Sequence, residues 1–86
     1  MSYTVRVAAV PAKFLENLQD QQLRRRITSA LHGLSENPRP VGSIKLSDPE
    51  ALYRIRVGDY RVLYQIQDAI LLVLVVRIAH RREVYR

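Results

Sequence analysis

Apolar and charged residues alternate in two neighbouring stretches, Tyr53-Arg54-Ile55-Arg56-Val57 and Tyr60-Arg61-Val62-Leu63-Tyr64, the second up to Leu63. A period of two is the mark of a half-buried strand. Gly58-Asp59 between them is a two-residue hairpin signal. A turn of that length pairs Val57 with Tyr60, Arg56 with Arg61, Ile55 with Val62 and Arg54 with Leu63. Tyr53, Ile55, Val57, Tyr60, Val62 and Tyr64 then share a face suited to a core, so the three tyrosines read as packing residues. Arg54, Arg56 and Arg61 share the other face. Like charges set opposite one another destabilise a strand pair. A sheet that keeps three guanidinium groups together points to an anionic partner, and phosphate fits because guanidinium binds it bidentately.

Elsewhere the periodicity changes. Tyr3 to Val7 alternates and reads as a first strand. Pro11 suits the first turn of a helix whose apolar face is Phe14, Leu15 and Leu18. Asp20 can cap a second helix, from Gln21 to about Ser35, with Leu23, Ile27, Ala30, Leu31 and Leu34 at helical spacing. Arg24, Arg25 and Arg26 cannot all join that stripe and read as a solvated helix face, with His32 a surface residue. Asn37-Pro38-Arg39-Pro40 ends the helix, since proline and the residue before it disfavour continuation. Gly42 to Glu50 reads as an irregular connector. Gln67-Asp68 marks a turn, and Ile70 to Ile78 is a strand too apolar to alternate, which leaves the parity of Arg77 open. The order β-α-α-β-β-β predicts an α+β fold: two N-terminal helices packed on a mostly antiparallel four-stranded sheet. Residues 1–86 are expected to form a single domain.

Charge sharpens this reading. The 86 residues carry a net charge of +6. Residues 1–53 hold seven basic against five acidic side chains, and residues 54–86 hold seven arginines against Asp59, Asp68 and Glu83. A basic excess gathered in the strands is the footprint of a nucleic-acid site or of an acidic protein partner. The chain has no cysteine, which excludes a disulfide scaffold and a Cys-ligated metal site and fits a reducing cytoplasm. No signal peptide is visible, and the apolar run Ala69 to Val76 is too short to span a bilayer.

Three features together resemble one family: the R-x-R pair before a G-D turn, Y-R straight after it, and a terminal HRREVYR. The chain looks like the RelE/ParE toxin superfamily of type II toxin–antitoxin modules, and more narrowly its RelE branch, over nearly its whole length. That resemblance implies a cytoplasmic, ribosome-dependent endoribonuclease that cuts mRNA in the ribosomal A site. The ribose 2′-hydroxyl attacks the adjacent phosphate, leaving a cyclic phosphate and a 5′-hydroxyl. The reaction needs a proton acceptor, cations for the phosphorane-like transition state and a proton for the leaving oxygen. It requires no metal or cofactor, and the sequence shows no metal-ligand spacing.

By resemblance, Arg54 and Arg56 match two basic positions on the family's second strand, and Arg61 the arginine after the turn. Arg81 matches the basic residue after the last strand and Tyr85 the C-terminal tyrosine. The implied catalytic set is Arg61, His80, Arg81 and Tyr85. Arg54, Arg56, Arg82 and Arg86 are implied phosphate or RNA contacts. Where some family members carry lysines, this chain has Arg54 and Arg56, and arginine stays protonated at neutral pH. These two hold phosphate but cannot be the base. His80 is the other candidate, as base or acid, because histidine titrates near neutrality. It can equally be a structural or RNA-contacting residue. Tyr85 suits base stacking or a hydrogen bond near the 2′-hydroxyl. The implied partners are the ribosome, its mRNA and an acidic antitoxin that meets a sheet left uncovered by any C-terminal helix. The rival readings are a ParE-like inhibitor of DNA gyrase and an inactive toxin acting as an antitoxin-binding co-repressor.

Overall fold

The computed structural model describes residues 2–46 and 51–84. Strand β1 (Thr4–Val7) is followed by helices α1 (Ala9–Asn17) and α2 (Gln21–Glu36), then by strands β2 (Ile44–Lys45), β3 (Tyr53–Val57), β4 (Tyr60–Gln67) and β5 (Leu72–His80). A helical turn, α3 (Arg81–Val84), comes after β5. The sheet order is β1-β5-β4-β3-β2, with β1 parallel to β5 and the other pairs antiparallel. The fold is α+β, as the alternation predicts. The sheet has five strands, however, where the sequence predicts four. The fifth is β2, two residues inside the expected connector, where Ile44 pairs with Arg54 and Lys45 with Tyr53. Two residues are too few for any alternation to register.

Local chemistry explains the helices. The Asp20 carboxylate accepts a hydrogen bond from the Leu23 N–H at 3.0 Å, satisfying one of the free donors at the start of α2. Pro11 lies in the first turn of α1, where a missing N–H costs nothing. Helix α2 buries Ile27, Leu31 and Leu34 against Ile55, Val57, Val62, Tyr64, Val73, Val75 and Ile78. These side chains are spaced three or four residues apart on the helix and fall on alternate strand positions, except between Val75 and Ile78, so one sheet face and one helix stripe close a single core. The Tyr3 N–H donates to the Ser35 carbonyl at 2.7 Å, and the Ser35 hydroxyl donates back to the Tyr3 carbonyl at 2.9 Å. These two bonds fasten β1 to the end of α2.

The last connection departs from the expected two-residue turn. Asp68–Ile70 form a 3-10 turn, Leu71 takes φ 52°, and β5 starts at Leu72, not at Ile70. Val76 is an extra residue in β5: Leu63 pairs with Arg77 while Tyr64 pairs with Val75. This β-bulge resets the alternation along β5. Among the described residues no helix is long and apolar enough to cross a membrane.

Candidate active site

The β3–β4 hairpin has the expected register, with Arg56 opposite Arg61 and Arg54 opposite Leu63. Gly58 takes φ 59° while Asp59 keeps a negative φ, the type II′ pattern that matches strand twist. The core claims Ile55, Val57, Val62 and Tyr64. Arg54, Arg56 and Arg61 therefore face away from the helices. The bulge at Val76 adds Arg77 to them, because Arg77 pairs with Leu63, the next position but one after Arg61 on β4. Alternation could not place Arg77, since the bulge leaves no mark in an apolar run.

The environment of Arg61 differs from what a charged residue on an outward face suggests. It is only 5% exposed and lies between the buried Leu63 and its cross-strand partner Ala79. Its Nε is buried with no hydrogen-bond partner among the described residues, and its Nη1 reaches the Tyr60 carbonyl at a long 3.4 Å. A buried guanidinium that directly faces a second one and lacks a full set of acceptors is expensive for the fold. Packing also holds it in one place, so that whatever part of the cation stays accessible is preorganised.

The C-terminal elements bring more charge to the same end of the sheet. The Arg81 N–H donates to the Asp59 carbonyl at 2.8 Å, tying the start of α3 to the hairpin turn. Arg81 and Arg82 are both exposed. His80 is not on the arginine face. It pairs with Tyr60, one position away from the Arg61–Ala79 pair, and so points to the helix side, with its ring edge-on to Tyr60 at 5.4 Å. Its Nδ1 accepts from the Arg82 N–H at 3.3 Å. Strand parity thus sets His80 apart from Arg61, and its contacts are with Tyr60 and the start of α3. Tyr85 and Arg86 lie outside the described residues.

At the opposite end of the sheet lies a cluster that sequence reading missed. Arg39 forms an ion pair with Asp68 at 2.9 Å, donates to the Tyr53 hydroxyl at 3.3 Å, and lies 5.3 Å from the centre of the Tyr53 ring. The Tyr3 hydroxyl donates to Asp68 at 2.6 Å. The bonds from Arg39 and then from Tyr3 hold the Asp68 carboxyl below its ordinary pKa. The buried Tyr64 hydroxyl donates to the Pro38 carbonyl at 2.7 Å, and burial pushes its pKa up to about 12. These bonds clamp the loop after α2 to the turn before β5. Arg39 and Asp68 are 29 residues apart in sequence and Tyr3 and Asp68 are 65 apart, so no local pattern announces them.

Residues 9–85 match the family model of the ParE toxin of type II toxin–antitoxin system, parDE. Toxin RelG of Mycobacterium tuberculosis is 33% identical over 86 residues, covering 100% of this chain and 99% of that protein. This chain belongs to the RelE/ParE toxin superfamily, in its RelE branch. Toxin RelE of the same organism is 33% identical over 84 residues, covering 98% of this chain and 87% of that protein. Among solved structures, the archaeal RelE–RelB complex from Pyrococcus horikoshii superposes with a TM-score of 0.83 at 28% identity, covering 96% of this chain and 99% of that one. The isolated E. coli RelE toxin gives 0.77 at 27% identity, covering 98% and 92%. The chain is therefore a type II toxin of RelE type, although the matching family model carries the ParE name.

Proposed function

We propose that this RelE-type toxin is a metal-independent endoribonuclease that cuts mRNA in the ribosomal A site. The 2′-hydroxyl attacks the adjacent phosphorus, a cyclic phosphate forms, and the bond to the 5′-oxygen breaks. Charge accumulates on the phosphoryl oxygens as it does so. The observation that carries the proposal is the buried Arg61 guanidinium, with its unpartnered Nε, facing Arg56. A phosphate bridging Arg56 and the accessible edge of the Arg61 guanidinium would give that cation a counter-charge the fold does not supply, and extra negative charge in the transition state would be stabilised more than the ground state. Arg54, Arg56, Arg77 and Arg81 would hold the flanking phosphates. His80 is a positioning residue for α3, through its bond to the Arg82 N–H and its packing on Tyr60. Arg82 and Arg86 would contact RNA, and Tyr85 would stack on a base or meet the 2′-hydroxyl.

The described part of this face offers cations but no group that titrates near neutrality. Orientation of the 2′-hydroxyl by the ribosome would therefore carry much of the rate, an effect that can supply several kcal/mol. A ribosomal target places the protein in the cytoplasm. The silent state would be a complex with an acidic antitoxin, a partner supported by the RelE–RelB complex among the structural neighbours. Purified protein incubated with mRNA-programmed ribosomes, and separately with DNA gyrase and supercoiled plasmid, tests the proposal. Cleavage on ribosomes with gyrase untouched is the expected result. Gyrase inhibition without RNA cleavage would favour the ParE-like reading, and inactivity in both would favour a co-repressor.

A further inference from the structure

Between α2 and the hairpin lies an open groove of about 490 Å³ whose walls carry Arg25, Arg26 and Ser29 on one side and Arg56, Val57 and Gly58 on the other. The topology creates it. Among the described residues strand β2 pairs only with Tyr53 and Arg54, so β3 has no strand neighbour on that side from Ile55 onward. Helix α2 approaches that edge from the core side, and Arg56 projects from the opposite side. The groove therefore wraps around the edge and is continuous with the arginine face through Arg56, which sits directly across from Arg61.

Arg26 is placed by the turn as well as by its helix. Its Nη1 lies 3.4 Å from where a Cβ on Gly58 would be, so the glycine leaves room for the guanidinium to rest over the turn. Asp20 and Asp59 line the adjoining groove with Arg26, yet neither forms an ion pair with it among the described residues. The Asp20 carboxylate is engaged instead with the Leu23 N–H. Three guanidinium groups thus line one groove in which no carboxylate lies among the described residues. An arginine run on a helix is ordinarily a solvated face, and Arg24 fits that description, lining the outer surface of α2 with Gln21, Arg25, Thr28, Ser29 and His32. Arg25 borders both that surface and the groove shared with Arg56, while Arg26 lies in the groove and not on the outer surface.

We propose that Arg25, Arg26 and Arg56 form a second phosphate-binding groove, which takes the RNA sugar–phosphate backbone running on from the arginine face around the edge of β3. This rests on the ribonuclease reading only for the identity of the polymer. The groove recognises phosphate and carries no base-reading geometry, so it fixes position and leaves sequence choice elsewhere.

The test measures binding of a fully 2′-O-methylated single-stranded RNA, which cannot be cleaved, by fluorescence anisotropy across a salt series. The variants are Arg25→Gln/Arg26→Gln and a control of equal charge loss outside the groove, Lys13→Gln/Arg24→Gln. Each phosphate contact contributes roughly 0.7 to the slope of log affinity against log salt for single strands. The groove variant should lose about 1.4 from that slope and bind at least tenfold more weakly at low salt, while the control keeps most of both. On ribosomes the groove variant should show a raised KM with kcat largely retained. An unchanged slope in the groove variant overturns the proposal, as does an equal loss in the control, which would mean net charge alone. Loss of antitoxin affinity with RNA binding intact also overturns it, assigning the groove to an acidic protein. If wild type binds RNA through the groove but cuts nothing on ribosomes, the ribonuclease reading fails and the groove stands.

Discussion

Replacing Arg61 by methionine is expected to make the protein more stable and less active. Arg61 is buried, its Nε has no acceptor, and it faces Arg56 across the hairpin. Leaving a buried donor unsatisfied costs about 1–3 kcal/mol. Like charges directly opposed add roughly 0.2–1 kcal/mol. Methionine removes both costs and keeps a long, adaptable side chain between Leu63 and Ala79. The loss is one long bond to the Tyr60 carbonyl, worth about 1 kcal/mol at most. The balance is a gain of about 1–2 kcal/mol, which for a domain of this size raises the Tm by at least about 5 °C. Alanine is the wrong probe, because it would leave a void at a buried position. Removing one preorganised donor from a charged transition state typically lowers the rate by about 10²–10³. Urea unfolding and thermal melts give the first quantity, and single-turnover cleavage on ribosomes gives the second. A methionine variant less stable than wild type by 1 kcal/mol or more would refute the reasoning, since the guanidinium would then be satisfied within the fold.

Three further outcomes follow from the contacts. Tyr64 has a folded-state pKa raised to about 12, mainly by burial, so its contribution is fully present below about pH 10 and is lost as pH rises through the folded value. Unfolding followed by tyrosinate absorbance should show about 2 kcal/mol lost over that window, and Tyr64→Phe should remove this dependence while costing about 1–2 kcal/mol at neutral pH through the stranded Pro38 carbonyl. Asp68 has a depressed pKa, so the stability it contributes is present above its unfolded value, near 4, and is lost as pH falls through the folded one; Arg39→Met should flatten that acid limb in denaturation curves, and an unchanged limb would mean that the Arg39 pair contributes nothing. For His80, asparagine keeps an acceptor where Nδ1 meets the Arg82 N–H and glutamine moves it, so His80→Asn should retain more cleavage than His80→Gln; equal, complete inactivation by both would return the histidine to proton transfer.

What could be read from the sequence follows the physics of each element. The hairpin was legible because period-two alternation and a Gly-Asp turn fix register together, and register alone places Arg54, Arg56 and Arg61 on one face. The end of β5 was not, because Val76 shifts the alternation inside a run with no polar markers, and this decides the sides taken by Arg77 and His80. Strand β2 was too short to show a period. The burial of Arg61 was hidden for a different reason: a charged residue in an alternating strand reads as solvent-facing, and only the fold shows it enclosed. The arginine run of α2 was legible as helix, but its approach to Gly58 depends on how the helix crosses the sheet.

The central claim is that the buried Arg61 and the arginines around it bind the phosphate at which RNA is cut. The most direct measurement is to map the ends produced when the purified protein meets the same mRNA on ribosomes and in free solution. The account predicts cuts confined to the A-site codon, bearing a 2′,3′-cyclic phosphate and a 5′-hydroxyl, with little cleavage of free RNA and about 10²–10³ less cleavage by Arg61→Met. Efficient cutting of free RNA, ends of any other chemistry, or full activity in the methionine variant would contradict it.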